Sequence, residues 1–155
     1  MQKVIEKYSP MVYRLAYSLV KSRADADDIH QEVFLKYMKY RPRFESEEHE
    51  KAWFIRVTTN QCRNWWKMAW RKRVVSLSEY KEDDVTQDFS AKKNEDIIET
   101  VKLLPQKYRV VIHLFYYEEL SIEEISNILG RKASTVRTQL TRARKQLSKL
   151  LKEDI

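Results

Sequence analysis

The side chains best suited to chemistry in this chain are cations set among hydrogen-bonding and aromatic groups. The chemistry they suit is recognition of phosphates and bases. From Arg131 to Lys152 there are eight Lys or Arg and no acid. Thr135, Arg137, Thr138, Thr141, Arg142, Arg144 and Lys145 fall together on the polar side of a helical spacing there. Cations neutralise backbone phosphates, while Thr, Gln and Arg can reach base edges in a major groove. A second basic stretch, Lys51 to Arg73, has seven Lys or Arg, no acid and all four tryptophans. Rings stack on unpaired bases while cations hold phosphates. The spacing puts Trp53, Arg56, Thr59, Asn60, Arg63, Asn64 and Lys67 outward, with Phe54, Val57, Gln61 or Cys62, and Trp65 inward. Plainer accounts compete. A basic helical hairpin is often only a solvated face. At least two of the four tryptophans are expected in the core. A basic, Trp-bearing helix can also lie on a membrane surface, which the acidic segments on both sides oppose.

A third set is acidic. In DADDIHQEVFLKYMKY, Asp25, Asp28, Gln31, Glu32 and Lys36 line a polar side, and Ile29, Val33, Phe34, Tyr37 and Met38 can face inward. Asp25, Asp27 and Asp28 open this helix, where acids complement the dipole. With His30 they invite a metal reading. Metal ligands must converge from more than one element, so no metal site is assigned. The set is either helix-capping acids or a partner-binding face. Tyr40 to Glu50 reads as a loop after Pro42, with Arg41 and Arg43 beside Phe44. There is no Gly-rich phosphate loop, no Ser/His/Asp constellation and no metal-ligand spacing, so neither an enzyme nor a cofactor is expected. Cys62 is the lone cysteine, which excludes an internal disulfide.

The elements that must carry these groups are helices. The chain has 155 residues, 43% of them hydrophobic, with one Gly and three Pro. So few turn residues argue against strand-rich folds and for an all-α fold. Ser121 followed by Glu124 makes a capping box, and Gly130 supplies a left-handed stop. Ile122, Ile125, Ile128 and Leu129 give the helix between them an apolar face. A second helix from about Ser134 buries Val136, Leu140, Ala143, Leu147, Leu150 and Leu151. This is a helix-turn-helix with a basic second helix. Upstream, apolar spacing predicts a helix from about Pro10 to Ser22 with a short one before it. Further helices are expected over Asn94–Leu104 and from Pro105 through Phe115. Residues 76–92 lose periodicity and are acidic, so they read as a flexible linker between two small helical domains, 1–75 and 93–155. Net charge is +7, which favours an anionic partner. No apolar run reaches the ~18 residues of a membrane span and no signal-peptide pattern opens the chain, so a cytoplasmic protein without membrane insertion is expected.

Three segments in order resemble the extracytoplasmic-function group of bacterial sigma factors in the sigma-70 family. DADDIHQEVFLKYMKY resembles the helix D-A-E-D-L-x-Q-E-x-F of the family's second region. KAWFIRVTTNQCRNWWK resembles W-L-x-R-I-A-x-N. The stretch from LPQKYRVV to RARKQL resembles the fourth-region pattern. Asn64 stands where many relatives carry Asp, and Thr58 to Asn60 replace the commoner A-x-N. The resemblance implies two domains that bind core RNA polymerase, through its β and β′ subunits, and promoter DNA. Asp25, Asp28, Gln31, Glu32 and Lys36 would dock on polymerase. Arg43, Phe44, Trp53, Arg56, Thr59, Asn60, Arg63, Asn64 and Lys67 would melt and hold the −10 element. Lys132, Ser134, Thr135, Arg137, Thr138, Thr141, Arg142 and Arg144 would read the −35 element as duplex. It also implies a monomer when free, and an anti-sigma partner of the kind often anchored to a membrane. The alternative is a stand-alone helix-turn-helix regulator that binds an operator as a dimer. It leaves the Trp-bearing basic helix without a task.

Overall fold

A computed structural model describes residues 2–20, 22–75 and 97–153. The stretch 76–92 read as a linker, and the expected helix start at Asn94, lie outside the described residues. Helix α1 runs Gln2–Leu19 without a break, with Pro10 inside it. Two separate helices were expected here. Proline removes one backbone donor and pushes against the carbonyl four residues back. Glu6 and Pro10 are both exposed, so the freed carbonyl lies on the water side. The opposite face buries Tyr8, Val12, Leu15, Ala16 and Leu19.

Helix α2 spans Arg23–Tyr40 and begins at Ser22, whose hydroxyl accepts from the Asp25 amide at 3.1 Å. Only Asp25 falls in the first turn, so Asp27 and Asp28 do not open the helix as expected. Ile29, Val33 and Phe34 are buried, but Met38 is 39% exposed and not inward. Arg41 ends the helix in the left-handed region at φ 45°.

Helix α3 spans Glu47–Val75, so the preceding loop is shorter than expected and Glu47, Glu48 and Glu50 are its first turn. It buries Phe54, Ile55, Thr58, Thr59 and Cys62, and packs on α1 and α2. At least two tryptophans were expected in the core; Trp53 and Trp65 do pack against it, but from its edge, and none of the four is fully buried. Trp53, Trp65 and Trp66 are half-buried and Trp70 is 61% exposed. An indole is too large for so thin a bundle to enclose, so the rings sit at its rim.

The second set of helices is α4 (Ile97–Val101), α5 (Gln106–Ile112), α6 (Ile122–Leu129) and α7 (Ala133–Glu153). Helix α5 passes into a π-helical turn, His113–Tyr117. The capping box forms as expected, with Ser121 and Glu124 exchanging bonds of 2.8 and 3.1 Å. Gly130 takes φ 69° and its N–H closes on the Ser126 carbonyl. Val136, Leu140 and Ala143 bury the inner face of α7. Among the described residues there are helices and no strand. The two sets also pack on each other, α1 against α4 and α5, and α3 against α6. One apolar core runs through both.

Candidate nucleic-acid interface

The helix-turn-helix is built around α7. Its outer residues Lys132, Ser134, Thr135, Arg137, Thr138, Thr141, Arg142 and Arg144 are all exposed. Ser134, Thr135, Thr138 and Arg142 converge on a shallow cleft of about 260 Å³ with Lys107, Tyr108 and Gln139. This concave strip mixes two cations with hydroxyl and amide groups, the composition that meets phosphates and base edges. Arg137, Thr141 and Arg144 lie outside that cleft. Arg144 is engaged on the flank, where its Nε donates to the Tyr116 hydroxyl at 2.6 Å and its guanidinium lies 5.3 Å from the Phe115 ring. Arg131, counted only as charge from the sequence, fixes the corner. It donates to the Lys107 carbonyl at 3.3 Å and to Gln139 Oε1 at 2.7 Å. Burial, and then the charge of Arg63, hold its guanidinium below the usual arginine range.

The second surface runs along α3. Arg56, Asn60, Arg63, Asn64 and Lys67 are exposed at spacings of three and four, which align on one side. Trp53 and Phe44 extend that stripe, their centroids 5.9 Å apart and both half-buried. Tyr37 and Phe54 brace Trp53 edge-on at 6.0 and 4.9 Å. The platform is therefore preformed, with Arg43 exposed beside it. Thr59 departs from the expectation. It is 5% exposed, and its hydroxyl donates to the Arg56 carbonyl at 3.0 Å. The second helical set comes over this turn, where Thr59 and Arg63 line a cleft of about 210 Å³ with Leu129 and Arg131. Arg56 lines another, of about 410 Å³, with Leu120, Glu124 and Ile128.

On α2, Asp28, Gln31 and Glu32 are exposed, while Asp25 and Lys36 are half-buried. Leu35 is 48% exposed among them, and Met38 lies one turn beyond. The sequence reading missed both as surface groups. An acidic patch with apolar residues inside it has the make-up of a protein-docking face.

The structure also assembles a hydroxyl–imidazole–carboxylate series that the sequence reading did not find. Ser18 Oγ lies 2.7 Å from His113 Nδ1, and His113 Nε2 lies 2.9 Å from Glu118 Oε2. Ser18 and His113 are 0% exposed, so no substrate reaches them. Burial pushes His113 below the ordinary histidine value, so the ring is neutral. The neutral ring accepts a hydrogen bond from the Ser18 hydroxyl at Nδ1 and donates one to Glu118 from Nε2. Burial raises Glu118, but bonds from His113 and Arg14 outweigh it and keep the carboxylate charged. Among the described residues no three His, Cys, Asp or Glu side chains converge as a metal site. Nor, among them, is any helix long and apolar enough to cross a membrane.

Comparison with known proteins places each half of the chain in a family. The Sigma-70 region 2 family matches residues 4–72, and the Sigma-70 region 4 family matches residues 94–147. The sigma factor SigV of Bacillus subtilis is 34% identical over 150 residues, covering 92% of this chain and 86% of that one. The ECF sigma factor SigW of the same organism is 27% identical over 167 residues, covering 97% of this chain and 88% of that one. The sigma factor RpoE from Bartonella quintana, solved in complex with the anti-sigma factor NepR, shares the fold. Its TM-score is 0.80 over 99% of this chain and 98% of that one, at 21% identity. The chain belongs to the sigma-70 family, in the group of extracytoplasmic-function RNA polymerase sigma factors, which direct transcription initiation.

Proposed function

We propose that this protein, a monomer in the cytoplasm when free, binds core RNA polymerase and selects promoters with two unlike grips. The carrying observation is that its two basic surfaces differ in kind. The α3 stripe has braced aromatic rings among its cations, as unpaired bases require. The α7 helix presents hydroxyls, amides and cations and carries no aromatic residue of its own, as a duplex groove requires; the rings beside it, Tyr108 and Tyr116, come from α5 and its π turn. Residues 1–75 and 93–155 are the two functional domains on this reading, joined by 76–92.

Arg43, Phe44, Trp53, Arg56, Asn60, Arg63, Asn64 and Lys67 hold the −10 element as a melted strand, with Thr59 joining them once uncovered. Unstacking a base costs a few kcal/mol. Stacking on a ring returns roughly 1–3 kcal/mol per base. One ring pair therefore offsets about one base, so melting is not expected from the free protein and depends on polymerase. Lys132, Ser134, Thr135, Arg137, Thr138, Thr141, Arg142 and Arg144 meet the −35 element as duplex. Asp25, Asp28, Gln31, Glu32 and Lys36, with Leu35 and Met38, form the polymerase-docking face. An anti-sigma partner is supported by two fold relatives. One is RpoE with NepR, and the other is CnrH, solved with the cytosolic domain of CnrY at TM-score 0.70 and 22% identity.

The test is transcription by core polymerase, with and without this protein, on a pool of random promoters. Enrichment of a shared pair of elements only when the protein is present supports the reading. Transcripts independent of the protein overturn it.

A further inference from the structure

The two halves of this protein are held together by a polar network whose members come from both. Arg14 on α1 donates to both Glu118 oxygens, from Nη2 at 3.1 Å and from Nε at 3.3 Å. Glu118 accepts from His113, which in turn accepts from Ser18 on α1. Lys51 on α3 donates to the Glu118 carbonyl at 3.1 Å. Arg109 on α5 donates to the Ser18 carbonyl at 3.3 Å. The π turn makes this possible. Its Glu118 N–H closes on the His113 carbonyl five residues back. In a regular α-helix the fifth residue stands about 140° round the axis. The wider turn instead brings the Glu118 side chain alongside the ring it must meet, and insertions of this kind recur at functional positions.

The closed arrangement conflicts with simultaneous use of both grips. Elements centred at −10 and −35 are roughly 25 base pairs apart, about 85 Å along a duplex. A compact chain of 155 residues is only about 40 Å across. Closure also covers part of one grip, since Thr59 is buried and Arg56 and Arg63 line clefts against the second set of helices. It sets Arg63 against Arg131 as well, two like charges that the network must hold together. Residues 76–96 are enough chain to span about 70 Å when drawn out.

We propose that Arg14, Ser18, His113 and Glu118 are an interdomain clasp that keeps the free protein closed and its single-strand grip partly covered, and that engagement with polymerase opens it. The clasp is specific because Arg14, Ser18 and His113 Nδ1 find these partners only when the halves meet, whereas the His113–Glu118 bond lies within one half. Separated, Ser18, His113 and Glu118 return to water, where no geometry is imposed. The autoinhibitory part of this inference rests on the promoter-binding reading above. The closure part does not.

The test is small-angle scattering of the full chain at pH 8, wild type against Arg14→Glu and Ser18→Ala, with helix content followed by circular dichroism. Arg14 is partly exposed, so its reversal acts at the rim of the network. Ser18→Ala removes one hydroxyl and decides the matter if Arg14→Glu loses helix. The expected wild-type radius of gyration is about 15 Å, rising by a quarter or more in the variants at unchanged helicity. A wild type that already scatters as two separated bodies, or helical variants that keep its radius, overturns the clasp. The second arm is affinity for core polymerase, expected to rise about 3- to 10-fold in an opened variant. An opened variant with no such gain overturns autoinhibition. Polymerase that ignores every form overturns the promoter reading, and autoinhibition with it, while the scattering result still stands for closure.

Discussion

The guanidinium of Arg109 lies 5.5 Å from the ring of Trp66, and the two groups together close the last carbonyls of α1. Arg109 donates to Ser18, and the Trp66 indole N–H donates to Leu19. A helix C-terminus carries partial negative charge, so a cation there is favourable. Here the cation comes from α5, in the other half of the molecule, and it also ties its own Leu104 carbonyl at 3.0 Å. Arg109→Ala would strand two carbonyls, at roughly 1–3 kcal/mol for a buried acceptor. The expected loss is about 2–4 kcal/mol in a urea titration. A loss below about 0.5 kcal/mol, the scale of an ordinary surface change, would remove this role.

The closed arrangement should loosen in acid. His113 faces Ser18 and Arg14 from α1 and Glu118 from the π turn, with Lys51 of α3 on the Glu118 carbonyl and the Tyr117 ring stacked at 5.0 Å. Burial lowers its pKa when closed, so the open form takes up the proton first. Its contribution to closure is complete above about pH 6.5 and fades as pH falls through the lower, closed-state value. The depressed Glu118 carboxylate adds a second loss below its ordinary value of 4.5. The radius of gyration should therefore grow as pH falls below about 6.5 in the wild type and stay flat in His113→Gln down to the carboxylate range. A flat wild-type curve would exclude His113 as the sensitive group.

The two ends of the α7 strip should behave differently. Arg142 lines the cleft and its head is free to meet a base. Arg142→Ala should weaken promoter binding by loaded polymerase by about 1–3 kcal/mol. Arg137→Ala should cost a similar amount if it contacts a base. Arg144 is already held by Tyr116, so its removal should cost less, about 0.5 kcal/mol. Equal losses at 142 and 144 would mean that the Tyr116 contact gives way on DNA.

Charge reversal on α2 should separate docking from folding. Asp28→Arg stays on an exposed surface, so its helix content should be unchanged. Capture of core polymerase should fall at least tenfold. Normal capture would move the docking face elsewhere.

The corner at Gly130 isolates a backbone effect. A Cβ added there meets nothing within 4 Å, yet φ is +69°. Gly130→Ala should therefore cost about 1 kcal/mol through conformation alone, with Gly130→Asn milder. Equal stability of glycine and alanine in thermal melts would be inconsistent with this turn.

Local signals carried well from sequence to structure. Ser121, Glu124 and Gly130 are a start and a stop within ten residues, and the apolar stripe of α7 repeats for about four turns. Signals that depend on a distant neighbour did not carry. Thr59 reads as outward on α3, and only the second helical set buries it. Pro10 reads as a boundary, because nothing local tells that its orphaned carbonyl will face water. Ser18 and His113 are 95 residues apart, and no spacing rule joins them. The π turn follows an ordinary helical pattern in HLFYY, so its extra residue is legible only through the bonds it makes. The acids of α2 were legible as a polar side, but Leu35 and Met38 were not, since apolar residues on a helix are assigned inward by default.

Cys62 is wholly buried, and burial pushes its thiol up to about 12, so at neutral pH it is neither ionised nor reachable. Any cysteine engineered onto the surface would thus be the one group a maleimide dye finds. Pairs of such dyes, one on each half, could report opening molecule by molecule without first removing the native thiol.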